Sequence, residues 1–268
     1  MIISDQHRFA FVHIPKIAGT TIRAQLAPID DRNGFYAARR VDAQGNERDY
    51  CHLTLAQIGR LYPDELERLK NYTTFCLVRD PAARFDAAVA EYAKQYLRRE
   101  ISTFSPRQRA NLLKDIIEKL KYFGISDLPY WLVWFTPQVA FIEQNGERVA
   151  SHVFPIDDLP RATALIYEKT GIQIDTQDRR NPRLEFRNGI GRRAAITGRS
   201  VKHLLPRKWY AEMRRTMRSA LLETSYTPLD HSGRDNTSKN DFVREFYARD
   251  YAIWDSTNFR NGRSLQYV

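Results

Sequence analysis

Residues Phe9 to Leu26 read FAFVHIPKIAGTTIRAQL. Five apolar or β-prone residues run from Phe9 to His13 as a short buried strand, then meet Pro15 and Lys16. Gly19, Thr20 and Thr21 follow, and from Thr20 to Leu26 the pattern turns helical. A strand that ends in PKxxGTT and enters a helix is suited to holding an anion. The glycine lets backbone approach closely, and the first amides of a helix point outward unpaired at the positive end of its dipole. Lys16 adds a mobile full charge, and the two threonines add hydroxyl donors. The order is not that of the Walker A loop, where the lysine comes after the glycines.

A second stretch, LVRDPAARF from Leu77 to Phe85, has the same plan. The strand Thr73 to Val78 ends in Arg79, Asp80 can cap the helix that begins at Pro81, and Arg84 falls one turn into that helix. Arg79 can fork two hydrogen bonds onto a phosphate. The alternation continues outward. Thr54–Leu61 and Asp64–Lys70 read as short helices, with Asp64 as a possible cap, and Asp30–Asp49 as a loop or hairpin. Pro106–Phe123 is a helix closed by Gly124, His152–Ile156 a strand, and Leu159–Thr170 a helix stopped by Gly171. Val139–Glu143 suits strand or helix equally. A helix near Trp209–Glu223, a polar loop Asp230–Asn240 and a terminal helix Asp241–Trp254 complete the reading. Strands alternating with helices predict a three-layer α/β fold with a central, mostly parallel sheet, whose ligands bind at the carboxyl ends of the strands. HIPK and VRDP both lie at such ends.

The bulk composition narrows the class. The chain has 268 residues, is 43% hydrophobic and contains 12 glycines and 12 prolines, which suits a folded core and not a fibrous or disordered chain. No stretch reaches the roughly 20 apolar residues that span a bilayer, and the N-terminus lacks the apolar core of an export signal, so the sequence predicts a cytosolic protein. Cys51 and Cys76 make no disulfide framework, and Cys76 inside TTFCLV reads as a buried thiol. The six histidines show no metal-ligand spacing, so no metal is expected. The net charge of +10 is confined: Arg179 to Arg218 holds thirteen cations and two acids, leaving −1 for the rest. Such a segment suits an anionic partner.

The two loops together resemble those of the sulfotransferases that use 3′-phosphoadenosine 5′-phosphosulfate (PAPS), in the group of the heparan sulfate 2-O- and chondroitin enzymes. FTPQ at Phe135–Gln138, HVFPIDDL at His152–Leu159, and DNTSKNDFVREFYARDYAIWD near the C-terminus extend the resemblance over most of the chain. It implies a P-loop-like sulfotransferase fold as one domain over residues 1–268; the basic segment at about 175–240 matches no family motif, and its charge suggests that it meets the acceptor. It implies PAPS as donor, with Pro15, Lys16, Ala18, Gly19, Thr20 and Thr21 on its 5′ side and Arg79 on its 3′-phosphate. Arg84 is a substitute donor there, and Lys239 a further contact. Two positions depart: the family's threonine after the lysine is Ile17, and its serine eight residues after the arginine is Ala87. Each hydrogen bond lost to a charged group costs about 1.5–3 kcal/mol.

Sulfuryl transfer needs a base, a counter-charge for the leaving phosphate and in-line geometry. Lys16 suits the second role. The resemblance places a catalytic histidine between the two loops, and His52, 27 residues ahead of Arg79, occupies that place. Histidine, with a usual pKa near 6.5, is a usable base. His13 reads as structural or donor-adjacent, and Asp157 as orienting. The acceptor expected is a hydroxylated, anionic glycan or glycolipid, with Tyr130, Trp131, Trp134 and Trp209 available as platforms. Two other classes stay open. One is a PAP-binding module without catalysis, suggested by Ile17 and Ala87. The other is a nucleic-acid binder using the basic segment, although no known nucleic-acid motif accompanies it.

Overall fold

The computed structural model of the chain describes residues 1–43, 45–125, 128–177, 184–186, 222–224 and 236–259. It divides into two compact units, Met1–Asp178 with His231–Val268, and Arg179–Asp230. In the second unit, strands Leu184–Phe186 and Leu222–Thr224 pair antiparallel. Leu222 and Glu223 are thus strand where a helix end is predicted; the rest of that predicted helix, and the basic segment apart from Leu184–Phe186, lie outside the described residues.

The first unit is built on a four-stranded sheet. In chain order its elements begin with β1 (Ile2–Ser4), β2 (Phe9–Phe11) and α1 (Gly19–Gln25). The hairpin β3 (Arg39–Val41) and β4 (Glu47–Asp49), helices α2 (Leu55–Leu61) and α3 (Pro63–Asn71), strand β5 (Thr73–Val78), and helices α4 (Pro81–Tyr96) and α5 (Pro106–Phe123) follow. The small hairpin β6 (Glu143–Gln144) and β7 (Glu147–Arg148) leads to strand β8 (His152–Pro155) and helix α6 (Leu159–Thr170), and the unit closes with α7 (Asn236–Phe246) and α8 (Ala248–Phe259). The sheet order is β1-β2-β5-β8. β1 runs antiparallel to β2, while β2, β5 and β8 are mutually parallel, with Phe11 opposite Phe75 and Val78 opposite Pro155. The result is a mixed α/β fold with a mostly parallel sheet flanked by helices. Phe9, Phe11 and Phe75 stack at its centre, ring centroids 5.4 and 4.8 Å apart. Every residue of β2, and all of β5 except Thr73, is buried, as a sheet covered on both faces requires.

Local signals set most element ends. Thr54 and Gln57 form a capping box for α2, as do Ser105 and Gln108 for α5. Asp80 accepts from Ala83 N at 2.7 Å and caps α4. Gly124 (φ 70°) and Gly171 (φ 72°) close α5 and α6 at positive φ. Three expectations are corrected. Asp64 lies inside α3 and is not its cap, because Pro63 starts that helix after Tyr62. The predicted loop up to Asn240 is helical from Asn236, and the single terminal helix is two, broken at Tyr247. Tyr247 is buried and donates its hydroxyl to Phe135 O at 2.7 Å, a fixed anchor at the break. Gln138–Phe141 forms a 3-10 turn and Glu143–Gln144 a two-residue strand, which resolves the ambiguous stretch as both. Both cysteines are free; burial pushes the Cys76 thiol up to about 12.

Candidate active site

Because β2, β5 and β8 are parallel neighbours, the segments that follow them emerge at one end of the sheet. These carry His13–Lys16, Arg79–Asp80 and Ile156–Asp158. After β2 the backbone turns through two non-glycine residues at positive φ, Lys16 (67°) and Ala18 (59°). Backbone held in this region costs about 1–3 kcal/mol per residue and occurs preferentially at ligand sites. Pro15 is buried, Ala18 exposed, and Thr20 and Thr21 are half-buried in the first turn of α1. That helix has only seven residues, so its dipole is weak and Lys16 carries most of the positive charge. Its ammonium is not free: Nζ donates to Glu91 Oε2 of α4 at 2.8 Å.

Gly19 has a specific cause that spacing does not reveal. A Cβ there would sit 2.4 Å from Cδ2 and 2.8 Å from Nε2 of His13. The close approach is therefore to an imidazole of this chain. His13 is buried, with Nδ1 lacking a hydrogen-bond partner among the described residues. Burial first, then the neighbouring charges of His52, Arg23 and Lys16, hold its imidazole well below the usual value and so keep it neutral.

The ring of His52 lies against that of His13, centroids 4.8 Å apart. His52 Nδ1 is 3.0 Å from Oδ2 of Asp49, the last residue of β4. The other carboxylate oxygen of Asp49 accepts from Cys51 N at 3.1 Å. Burial pushes the Asp49 carboxyl up, but the hydrogen bond and charge of His52 and the Cys51 amide outweigh it and hold the group below its usual range. A carboxylate on Nδ1 favours the tautomer with the proton there, which leaves Nε2 as acceptor. The β3–β4 hairpin thus delivers a carboxylate–histidine pair to the lysine loop. Across the hairpin Arg39 pairs with Asp49, and its guanidinium lies 5.9 Å from the Tyr130 ring and 6.0 Å from the Trp134 ring.

Arg79 is held through its backbone. Its N donates to Gln138 Oε1 and its O accepts from Gln138 Nε2, both at 2.9 Å. Asp250 of α8 in turn accepts from the backbone N of Gln138 and Val139 at 2.8 and 2.9 Å. The FTPQ stretch is therefore a clamp on the end of β5. Ile17 is fully buried in the hydrophobic core, so its side chain does not face the loop's anion side.

Two of the expected donor contacts, Arg84 and Lys239, are buried and engaged with protein partners. Arg84 is 0% exposed, as is Asp250, 3.6 Å from its Nη2. Nη1 of Arg84 donates to Trp134 O at 3.0 Å, and the guanidinium lies over the Tyr247 ring. These contacts tie α4 to residues 130–135 and to Tyr247 and α8, while Nε and Nη2 have no hydrogen-bond partner among the described residues. Lys239 is 3% exposed and bonded to Asp86 at 3.1 and 3.3 Å, tying α7 to α4. Asp157 is exposed. The depression lined by Arg8, Asp64, Glu67, Arg68, Asn71 and Tyr72 lies at the opposite end of the sheet, where β2 and β5 begin. No group of three or more His, Cys, Asp or Glu among the described residues is placed to hold a metal. Residues that the sequence reading missed are Asp49, Glu91, Gln138 as a backbone clamp, and Asp250. The DxxH spacing of Asp49 three residues before His52 is the one local signal for that pair.

Residues 1–122, just under half of the chain, match a sulfotransferase family; that stretch carries the Lys16 loop, Asp49, His52, Arg79 and Glu91, while Gln138, β8 and Asp250 lie beyond it. Among known proteins the chain is 25% identical over 175 residues, 64% of its length, to carbohydrate sulfotransferase 14 of Danio rerio. The match spans 43% of that relative's length, less than half. No solved structure matches. No helix among the described residues is long and apolar enough to cross a membrane, and the expected cytosolic placement gains no support from these matches.

Proposed function

We propose that the chain moves a sulfuryl group from PAPS to a hydroxyl of a carbohydrate acceptor, without a metal, through a P-loop-like donor site. The observation that carries this reading is the meeting of His52 with His13. It brings a carboxylate-bound histidine from 39 residues away to the strand that leads into the lysine loop.

In this reading Nε2 of His52 accepts the proton of the acceptor hydroxyl as its oxygen attacks sulfur. The new bond is acceptor O–S, and the bond that breaks joins sulfur to the phosphate oxygen of the donor. Lys16, with Thr20 and Thr21, meets the charge that develops on that oxygen. Asp49 fixes the His52 tautomer and stabilises the imidazolium formed. Arg79, aimed by the Gln138 clamp, takes the 3′-phosphate. Arg39, beside Tyr130 and Trp134, supplies a cation and aromatic faces on the acceptor side.

The burial of Arg84 and Lys239, with Ala87 in place of a hydroxyl, leaves Arg79 as the main 3′-phosphate contact and favours a second reading: a PAP-binding protein with impaired turnover. Calorimetric titration with PAP, with 5′-AMP and with ATP plus Mg²⁺ as controls, followed by radiolabelled sulfate transfer to anionic and neutral glycans, separates the two. Metal-independent PAP binding with transfer that depends on His52 supports the enzyme. PAP binding without transfer supports the binder. Preference for ATP with Mg²⁺, or no PAP binding, rejects both.

A further inference from the structure

The lysine that should neutralise the leaving group is already bonded to a carboxylate. Lys16 Nζ and Glu91 Oε2 are 2.8 Å apart, with side chains 26% and 20% exposed. Glu91 is itself held in place, because its other oxygen accepts from Gln95 Nε2 at 2.9 Å. Burial pushes the Glu91 carboxyl up, but the charge and hydrogen bond of Lys16 and the Gln95 amide hold it below the usual range, so it is ionised at neutral pH. Both Glu91 and Gln95 sit on α4, the helix that begins two residues after Arg79. The ion pair therefore joins the Lys16 loop to the helix that follows the Arg79 strand, across 75 residues of chain.

We infer that Glu91 is a positioning residue that restrains Lys16 while the donor site is empty and yields it to the phosphosulfate when donor binds. The inference rests on the sulfotransferase reading above. An ammonium on a four-carbon stem carries three N–H donors on one compact charge, and here one donor and the nearest counter-charge belong to an anchored anion. A donor carrying several negative charges outcompetes one half-buried carboxylate, since such pairs are individually weak. The restraint lowers donor affinity slightly and keeps Lys16 from collapsing onto other anions at the open strand ends. The exchange asks for rotation of the Lys16 side chain about its own torsions.

The test is a PAP titration of four proteins: wild type, Glu91→Gln, Lys16→Ala and the double variant, each checked for an unchanged thermal midpoint. Glu91→Gln is nearly isosteric and retains a partner for Gln95. We expect it to bind PAP about two- to tenfold tighter, and its KM for PAPS to fall by a similar factor. In the Lys16→Ala background the same substitution should give no gain, which a merely structural role for Glu91 does not predict. Gln95→Leu, which loosens Glu91 without removing it, should give a smaller gain in the same direction. The inference is overturned if Glu91→Gln binds PAP no better than wild type, or if the gain persists without Lys16. If wild type binds no PAP, the sulfotransferase reading itself has failed and this inference falls with it.

Discussion

His52 and Asp49 meet across a single 3-10 turn, Nδ1 to Oδ2 at 3.0 Å, and the turn is closed by the same carboxylate accepting from Cys51 N. One side chain thus fixes both the backbone that presents His52 and the orientation of its ring. If His52 is the base, Asp49 is a positioning residue whose loss should lower turnover without touching donor affinity. We expect His52→Ala to reduce sulfate transfer by about 10²- to 10⁴-fold and Asp49→Asn by a smaller factor, with PAP affinity retained in both. Transfer rates alongside calorimetric Kd values check this, and retained transfer in His52→Ala rejects the base assignment.

Gly19 faces His13 so closely that no Cβ fits. Gly19→Ala should destabilise the fold by about 1–3 kcal/mol, as overpacking does, and displace His13 from His52. Replacing His13 by alanine in the same chain removes the clash and should recover part of the loss. Urea denaturation of the single and double variants measures the coupling.

His13 gives a pH signature. Its folded-state pKa is depressed, so the unfolded chain binds the proton more tightly. The contribution to stability is fully present above the unfolded value of about 6.5 and is lost as pH falls below it, by up to about 1.4 kcal/mol per pH unit. His13→Asn should lack that slope between about pH 6.5 and 5. Parallel curves for the two proteins would contradict a buried neutral imidazole.

Arg84 separates a structural from a ligand role. Arg84→Met leaves Asp250 buried without its cation, a loss of about 3–5 kcal/mol for a broken buried pair. Burial already pushes the Asp250 carboxyl up despite Arg84 and the Gln138 and Val139 amides. At temperatures where the variant stays folded, its PAP affinity should match wild type. A large loss of affinity with little loss of stability would return Arg84 to the donor site.

Gln138 tests the clamp on Arg79. Gln138→Ala frees two backbone groups of Arg79 and should cost about 1–3 kcal/mol in stability. If Arg79 holds the 3′-phosphate, PAP affinity falls by about tenfold or more while 5′-AMP binding is unchanged. Equal losses for both ligands would remove the 3′-phosphate from Arg79.

The parallel strands β2, β5 and β8 and the helices from α1 to α6 were legible from sequence because their signals are local, whereas the edge strand β1 and the β6–β7 hairpin carry no such signal. The capping boxes at Thr54 and Ser105, the Asp80 cap before Pro81, and Gly124 and Gly171 at helix ends each act within a few residues. The run TTFCLV between polar ends needs no distant partner to read as a strand. The site was legible in outline for the same reason: a lysine, a glycine and an arginine at strand ends can be placed once strands are placed. The C-terminal helices were misjudged because their break depends on Tyr247 reaching Phe135, 112 residues away.

What only the tertiary structure decided is which polar side chains face the site and which face one another. Arg84 and Lys239 look like Arg79 and Lys16 in sequence, a cation near a helix start or in a polar stretch. Asp250 and Asp86 bury the first pair, while packing leaves Lys16 with Glu91 at the strand ends. The reason is electrostatic. A cation's role depends on its nearest anion and on how much water reaches it, and both are set by chain segments that meet only on folding.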